Sequence, residues 1–184
     1  VCFCFAIHHH PATKNVAAAR KSLAFPTIFN LLGPLTNPAG ATRQLIGIYD
    51  RSAVEKMAHA LSRLGSERAM VVHGFDGMDE ITTTDRSWLG HVQGGAVRTE
   101  ELDPAALGIS IARPSLLQAH DLSEAAHLMH DVLLGRAGAP RDIVLLNAAA
   151  ALTVAGAASD LAEGMSRAAA AIDSGEAGRT LETL

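Results

Sequence analysis

Hydrophobic positions recur along this chain with two different periods, and the changes of period mark out its elements. Val1–Ala6 is an unbroken apolar run of strand length. Strong helix formers fill Ala12–Leu23 after Pro11, a residue suited to the first turn of a helix. Phe25-Pro26 breaks that helix. Thr27–Leu32 makes another short one before a Gly33-Pro34 turn, and Asn37-Pro38 supplies a second turn. Leu45–Tyr49 and Ala69–His73 read as strands by length and β-branching. Between them Val54, Met57, Ala58, Leu61 and Leu64 share one helical face, with Ser52-x-x-Glu55 as a capping box and Gly65 as the stop. A strand, a capped helix and a strand of these lengths form a βαβ unit, which makes the two strands parallel.

Beyond Ile81 the pattern loosens. Thr82–Thr84 and Gly94–Val97 suggest short strands or pieces of a hairpin. Leu122–Leu134 is predicted as a helix with Ala125, Leu128, Met129, Val132 and Leu133 inward. Asp142–Ala155 fits either a strand at Ile143–Leu146 or a buried helix, and the alanine run favours the helix. Asp160–Ile172 is predicted as the last long helix, opened by the capping pair Asp160-x-x-Glu163. The expected fold class is therefore α/β, a mostly parallel sheet flanked by helices. Residues 1–10 would supply a sheet strand and loop, 11–38 a helical segment, and 39–184 the body of the α/β domain.

Composition narrows the functional classes. A net charge of −4 gives no electrostatic case for nucleic-acid binding. No apolar run approaches the length of a membrane span, and the opening VCFCFAI lacks the basic leader and cleavage site of a signal peptide. Cys2 and Cys4 are the only cysteines. They lie too close together to staple anything and are too few for a zinc site, so they read as buried, reduced thiols of a cytoplasmic protein. The chain has no initiator Met and begins on what reads as the middle of a sheet, so a fragment of a longer protein is expected.

The sharpest chemical signal is Asp79-Glu80 in HGFDGMDEITTT. It follows a predicted parallel strand, where open α/β sheets place their ligands. Gly74 and Gly77 allow a sharp turn there, and Asp76, Asp79 and Glu80 offer hard oxygen ligands suited to Mg²⁺. A solvated acidic turn is the plainer alternative. Arg20, on the Ala12–Leu23 helix, could fork onto a carboxylate, although Lys21 beside it shows that this helix also has a wet face. Consecutive side chains diverge, so His8-His9-His10 does not read as one metal site, and only His10 is a candidate ligand-facing group. His73 could point toward the crevice of Asp79, whereas His127 and His130 read as residues that face solvent from a helix. No hydrolase triad, nucleophile elbow, Walker loop or dinucleotide fingerprint is present.

Taken in order, HPATKNVAAARKSLAFPTIFNLLGPLTNPA, QLIGIYD and VVHGFDGMDEIT resemble the anthranilate phosphoribosyltransferase family, and DIVLLNAAAAL and AAAAIDSGEA are similar to its closing helices. The resemblance spans essentially the whole chain. It implies the C-terminal domain of a nucleoside phosphorylase/phosphoribosyltransferase-like fold, with a short piece of that family's helical domain. It also implies the transfer of a phosphoribosyl group from phosphoribosyl pyrophosphate (PRPP) to anthranilate with Mg²⁺, for tryptophan biosynthesis. In that frame Asp79 and Glu80 match the magnesium-binding pair, Arg20 the arginine that grips the anthranilate carboxylate, and His10 and Gly33 positions along the anthranilate path. No general base is evident, which suits departure of pyrophosphate toward an oxocarbenium-like state.

The family's glycine-rich PRPP loop, its Lys-His-Gly-Asn segment and the helical domain that makes its homodimer are expected upstream of Val1, so these 184 residues alone are expected to be inactive. Ile7 stands where the family usually has Pro, Thr13 where a larger side chain is usual, and Ala24 where Gly is common. A pyrimidine nucleoside phosphorylase and a non-catalytic, nucleic-acid-binding relative of the same fold are the alternatives.

Overall fold

The structure, a computed structural model, describes residues 22, 23, 28–37 and 39–184. The expected elements at Val1–Ala6 and Ala12–Leu23, and with them His10 and Arg20, lie outside the described residues. Two compact units divide the chain, one of Thr42–Thr183 and one of the residues up to Ala41 together with Leu184.

In the unit that ends at Ala41, helix α1 spans Phe29–Leu35. Gly33-Pro34 is therefore part of a helix, not the turn that follows one. Pro34 removes a backbone donor from the helix. The end is closed by Thr36, whose Oγ1 donates to the Leu32 and Gly33 carbonyls at 3.1 Å each. Asn37 makes the expected turn, its Oδ1 accepting from the Ala39 amide at 2.9 Å.

In the larger unit a sheet runs in the order β1 (Arg43–Gly47), β2 (Arg68–Gly74), β3 (Ser87–Gln93), β4 (Ala96–Leu102). β1 and β2 are parallel, in the register Ile46↔Val71, as the βαβ reading requires. The expectation of a mostly parallel sheet holds at this pair. Among the described strands, β2–β3 and β3–β4 are antiparallel. The β3–β4 link is the Gly94-Gly95 turn, far too short for a parallel crossover, and both glycines have positive φ as a tight hairpin requires.

Between β1 and β2 lies α2 (Val54–Arg63), which packs on β2, β3 and β4 with Val54, Met57, Ala58 and Leu61 buried. Leu64, expected on the same face, is 65% exposed because it sits past the last helical turn. The cap also differs from the sequence reading. Asp50 accepts from the Ser52 amide at 2.8 Å and opens a short 3₁₀ turn at Arg51–Ala53, so Ser52 is not the capping residue.

The other face of the sheet is covered by α4 (Ala139–Ala155), which resolves the Asp142–Ala155 ambiguity in favour of the helix. Met70 and Val72 of β2 join Ile81, Leu89, Ile109, Leu146, Ala150 and Val154 in one core. Their neighbours Ala69 and Val71 are buried too, so β2 is covered on both faces. Arg43 and Arg68, paired in register, reach the C-terminal carbonyls of α4: Arg43 reaches Ala155, and Arg68 reaches Thr153 at 3.0 Å. Cations at that end complement the helix dipole.

A second cluster of Val132, Leu145, Ala168 and Ile172 joins α4 to α3 (Leu122–Leu133) and α5 (Leu161–Asp173). Only Val132 of α3 is buried, so the inward face expected for Ala125 and Met129 is largely open. A last helix, α6 (Glu176–Glu182), follows the one expected to be final.

The predicted cap of α5 is present in full. Asp160 accepts from the Glu163 amide at 2.9 Å, and Glu163 accepts from the Ser159 amide and hydroxyl at 2.8 Å each and from Arg167 at 2.9 Å. The Ser159 backbone bond, then the Ser159 hydroxyl and Arg167, hold the Glu163 carboxyl down to about 2. Its ordinary value is 4.5, so the ionised cap stabilises the fold above that pH and loses its contribution as pH falls toward 2. Glu163→Gln is accordingly expected to lower the urea midpoint at pH 6 and to flatten its decline between pH 4.5 and 2. Parallel pH profiles for the two proteins would remove Glu163 from the cap's energetics.

Candidate metal centre

The chain leaves β2 at Gly74 and folds back at once. The Gly74 amide donates to the Met78 carbonyl at 2.7 Å, and the Gly77 amide donates to the Gly74 carbonyl at 2.9 Å. Asp76 lies within this turn and is fully engaged. It accepts from the Met78 amide at 3.1 Å, from Thr82 Oγ1 at 2.7 Å and from Thr84 Oγ1. Burial works against its ionisation, but the Thr84, Thr82 and Met78 hydrogen bonds outweigh it and hold the carboxyl below its usual range. Asp76 therefore organises the loop, its oxygens being taken up by these three bonds.

Asp79 and Glu80 are in the opposite condition. Both side chains are exposed, and among the described residues neither carboxylate accepts a hydrogen bond or meets a cation. The surrounding protein, and after it the charge of Asp79, pushes the Glu80 carboxyl above its ordinary value. Two adjacent hard-oxygen groups that nothing neutralises among the described residues fit Mg²⁺, which commonly binds through one or two carboxylates and completes its shell with water and substrate phosphate. No third His, Cys, Asp or Glu joins them among the described residues.

Three sets of contacts fix this loop against the sheet. A Cβ built on Gly47, the last residue of β1, would stand 1.6 Å from the Asp79 carbonyl oxygen, so the acidic pair lies directly across the end of β1. Phe75 at the root of the loop is flanked by the guanidinium groups of Arg51, 5.1 Å from its ring centroid, and Arg86, at 4.9 Å. Arg51 also lies 4.9 Å from the Trp88 ring, and both arginines pair with Glu101. On the far side, Asn147 of α4 bonds the backbone of Ile81, the residue after Glu80.

Neither Gly47 nor Asn147 stands out by sequence spacing. The one signal for Asn147 is an amide inside the apolar run LLNAAAAL. His73 does not join the pair. Its Nδ1 lies 2.8 Å from the Ile48 carbonyl, an acceptor only, so Nδ1 carries the hydrogen and ties the ends of β2 and β1 together. Gly33 sits in α1 with open space beside its Cα. His10 and Arg20 fall outside the described residues.

A parallel βαβ unit with an acidic pair across its strand end has the arrangement at which open α/β sheets commonly place their ligands. The chain belongs to the glycosyl transferase family, a/b domain, whose model matches residues 1–178. Anthranilate phosphoribosyltransferases are among its relatives. The one from Rhodospirillum rubrum is 52% identical over 179 residues, covering 97% of this chain and 52% of the relative. The chain thus spans about half the length of the curated relatives it matches. Among solved structures, anthranilate phosphoribosyltransferase from Thermus thermophilus superposes with a TM-score of 0.86 at 38% identity, over 95% of this chain and 51% of that one. The Saccharomyces cerevisiae enzyme in complex with PRPP and Mg superposes with a TM-score of 0.83 at 28% identity, over 94% of this chain and 50% of that one.

Proposed function

We propose that the protein transfers the phosphoribosyl group of PRPP to anthranilate, giving N-(5-phosphoribosyl)anthranilate and pyrophosphate, in tryptophan biosynthesis. The observation that carries this reading is the Asp79-Glu80 pair, without a cationic partner among the described residues, on a pinned loop in a chain half identical to anthranilate phosphoribosyltransferases. The bond from ribose C1 to pyrophosphate breaks and a bond to the anthranilate nitrogen forms, with the amine proton released to solvent. Asp79 and Glu80 hold Mg²⁺, which when bound neutralises the departing pyrophosphate. Arg20 forks onto the anthranilate carboxylate, while His10 and Gly33 line the path of that ring. No helix among the described residues is long and apolar enough to cross a membrane. We place the enzyme in the cytoplasm, as a homodimer, without nucleic acid as a partner.

Arg20→Ala in the full-length protein tests the substrate assignment. A hydrogen-bonded charge pair contributes about 1.5–3 kcal/mol, so the KM for anthranilate should rise roughly 10- to 100-fold while that for PRPP stays nearly constant. An unchanged anthranilate KM would refute the role given to Arg20.

A further inference from the structure

We infer that Asn147 is a positioning residue for the metal-binding pair, setting the affinity of Asp79-Glu80 for a divalent cation through the backbone of Ile81. The inference rests on the reading of that pair as the metal site. Asn147 lies on α4, 66 residues from Ile81 in sequence, and its side chain makes both of the bonds that a neighbouring strand would make. Oδ1 accepts from the Ile81 amide at 3.0 Å, and Nδ2 donates to the Ile81 carbonyl at 2.9 Å. The second Nδ2 hydrogen goes to the Ile143 carbonyl, one turn back on its own helix, at 3.0 Å. The two carbonyls can only accept and the amide can only donate, so the orientation of the Asn147 amide is fixed by its partners.

The consequence for the site follows from where Ile81 stands. Its side chain is fully buried in the core beside Leu146, the residue preceding Asn147. Side chain and backbone of Ile81 are thus both held by α4, and the peptide that joins Glu80 to Ile81 is held at its amide. Glu80, with no partner of its own among the described residues, takes its direction from that peptide. The Asp79 carbonyl rests on Gly47 from the other side. The pair is set between β1 and α4. Groups that orient ligands without touching the metal commonly change its affinity about 10- to 100-fold when removed.

The test is Mn²⁺ binding to the full chain, read from the electron paramagnetic resonance signal of free Mn²⁺, together with hydrogen exchange at the Ile81 amide. Asn147→Ala removes the clamp. Asn147→Ser also falls short of Ile81 but keeps a polar group on the helix, and serves if the alanine variant fails to fold. Ile172→Ala, in the separate cluster on α5, controls for general loosening. Expected are a roughly 10- to 100-fold weaker Mn²⁺ affinity and faster Ile81 exchange in the Asn147 variants, with affinity unchanged in Ile172→Ala. Unchanged affinity in the Asn147 variants, or an equal loss in Ile172→Ala, overturns the inference alone. Absence of Mn²⁺ binding in the unaltered protein overturns the metal-site reading and the inference with it.

Discussion

Gly47→Ala in the full-length protein is expected to lower kcat/KM for phosphoribosyl transfer about 100-fold, a large effect for the addition of one methyl group. The new Cβ would sit 1.6 Å from the Asp79 carbonyl oxygen and 2.7 Å from its carbonyl carbon. Both are backbone atoms, so no rotamer change relieves the clash. Ordinary contact begins near 3.4 Å, and the Asp79 peptide must therefore retreat by about 1.8 Å. A displacement of about 1 Å at a reacting site can reduce the rate about 100-fold. Overpacking typically costs about 1–3 kcal/mol of stability as well. The two effects separate in the assay. At a temperature where the variant is fully folded, the rate loss should persist and the Mg²⁺ requirement should rise. Full activity with an unaltered metal requirement would show that the acidic pair does not depend on its contact with β1.

What the sequence revealed and what it concealed divide along a physical line. β1, α2 and β2 were legible because each buries a regular face, and Val54, Met57, Ala58 and Leu61 are buried as their spacing demands. β3 and β4 were not foreseen as full strands. β4 is a partly exposed edge strand whose polar residues pair across the surface, Arg98 with Glu100 and Arg86 with Glu101, so no apolar period announces it. The face of α3 shows the converse. Its spacing is helical, but periodicity does not say whether another element covers the stripe, and Met129 is 55% exposed.

The site divides in the same way. Asp79-Glu80 are adjacent and follow a strand, so local reading finds them. Asp76 looks by sequence like one more open carboxylate, because its partners, Thr82 and Thr84, are within reach only after the chain has folded back. Gly47 and Asn147 act across the fold, and only the structure brings them to the loop.

The second large effect expected is that of Asp79→Asn. The substitution keeps the shape of the side chain and removes one of two carboxylates that, among the described residues, no cation offsets. An amide oxygen is a weaker ligand for a hard cation than a carboxylate, and the loss of a full negative charge leaves Glu80 to hold the ion largely alone. The same change relieves the repulsion that helps raise the Glu80 carboxyl, so Glu80 should ionise more readily in the variant even as metal binding weakens. A destabilised fold does not produce that combination, which makes the metal requirement the informative readout.

The most direct test of the account is the Mg²⁺ dependence of phosphoribosylanthranilate formation from anthranilate and PRPP, measured on the full-length protein that contains these residues, with Asp79 intact and with Asp79→Asn. The account predicts Mg²⁺-dependent product from the unaltered protein and a half-saturating Mg²⁺ concentration raised about tenfold or more in the variant. No product from the unaltered protein at saturating Mg²⁺, or identical Mg²⁺ curves for the two proteins, would contradict it.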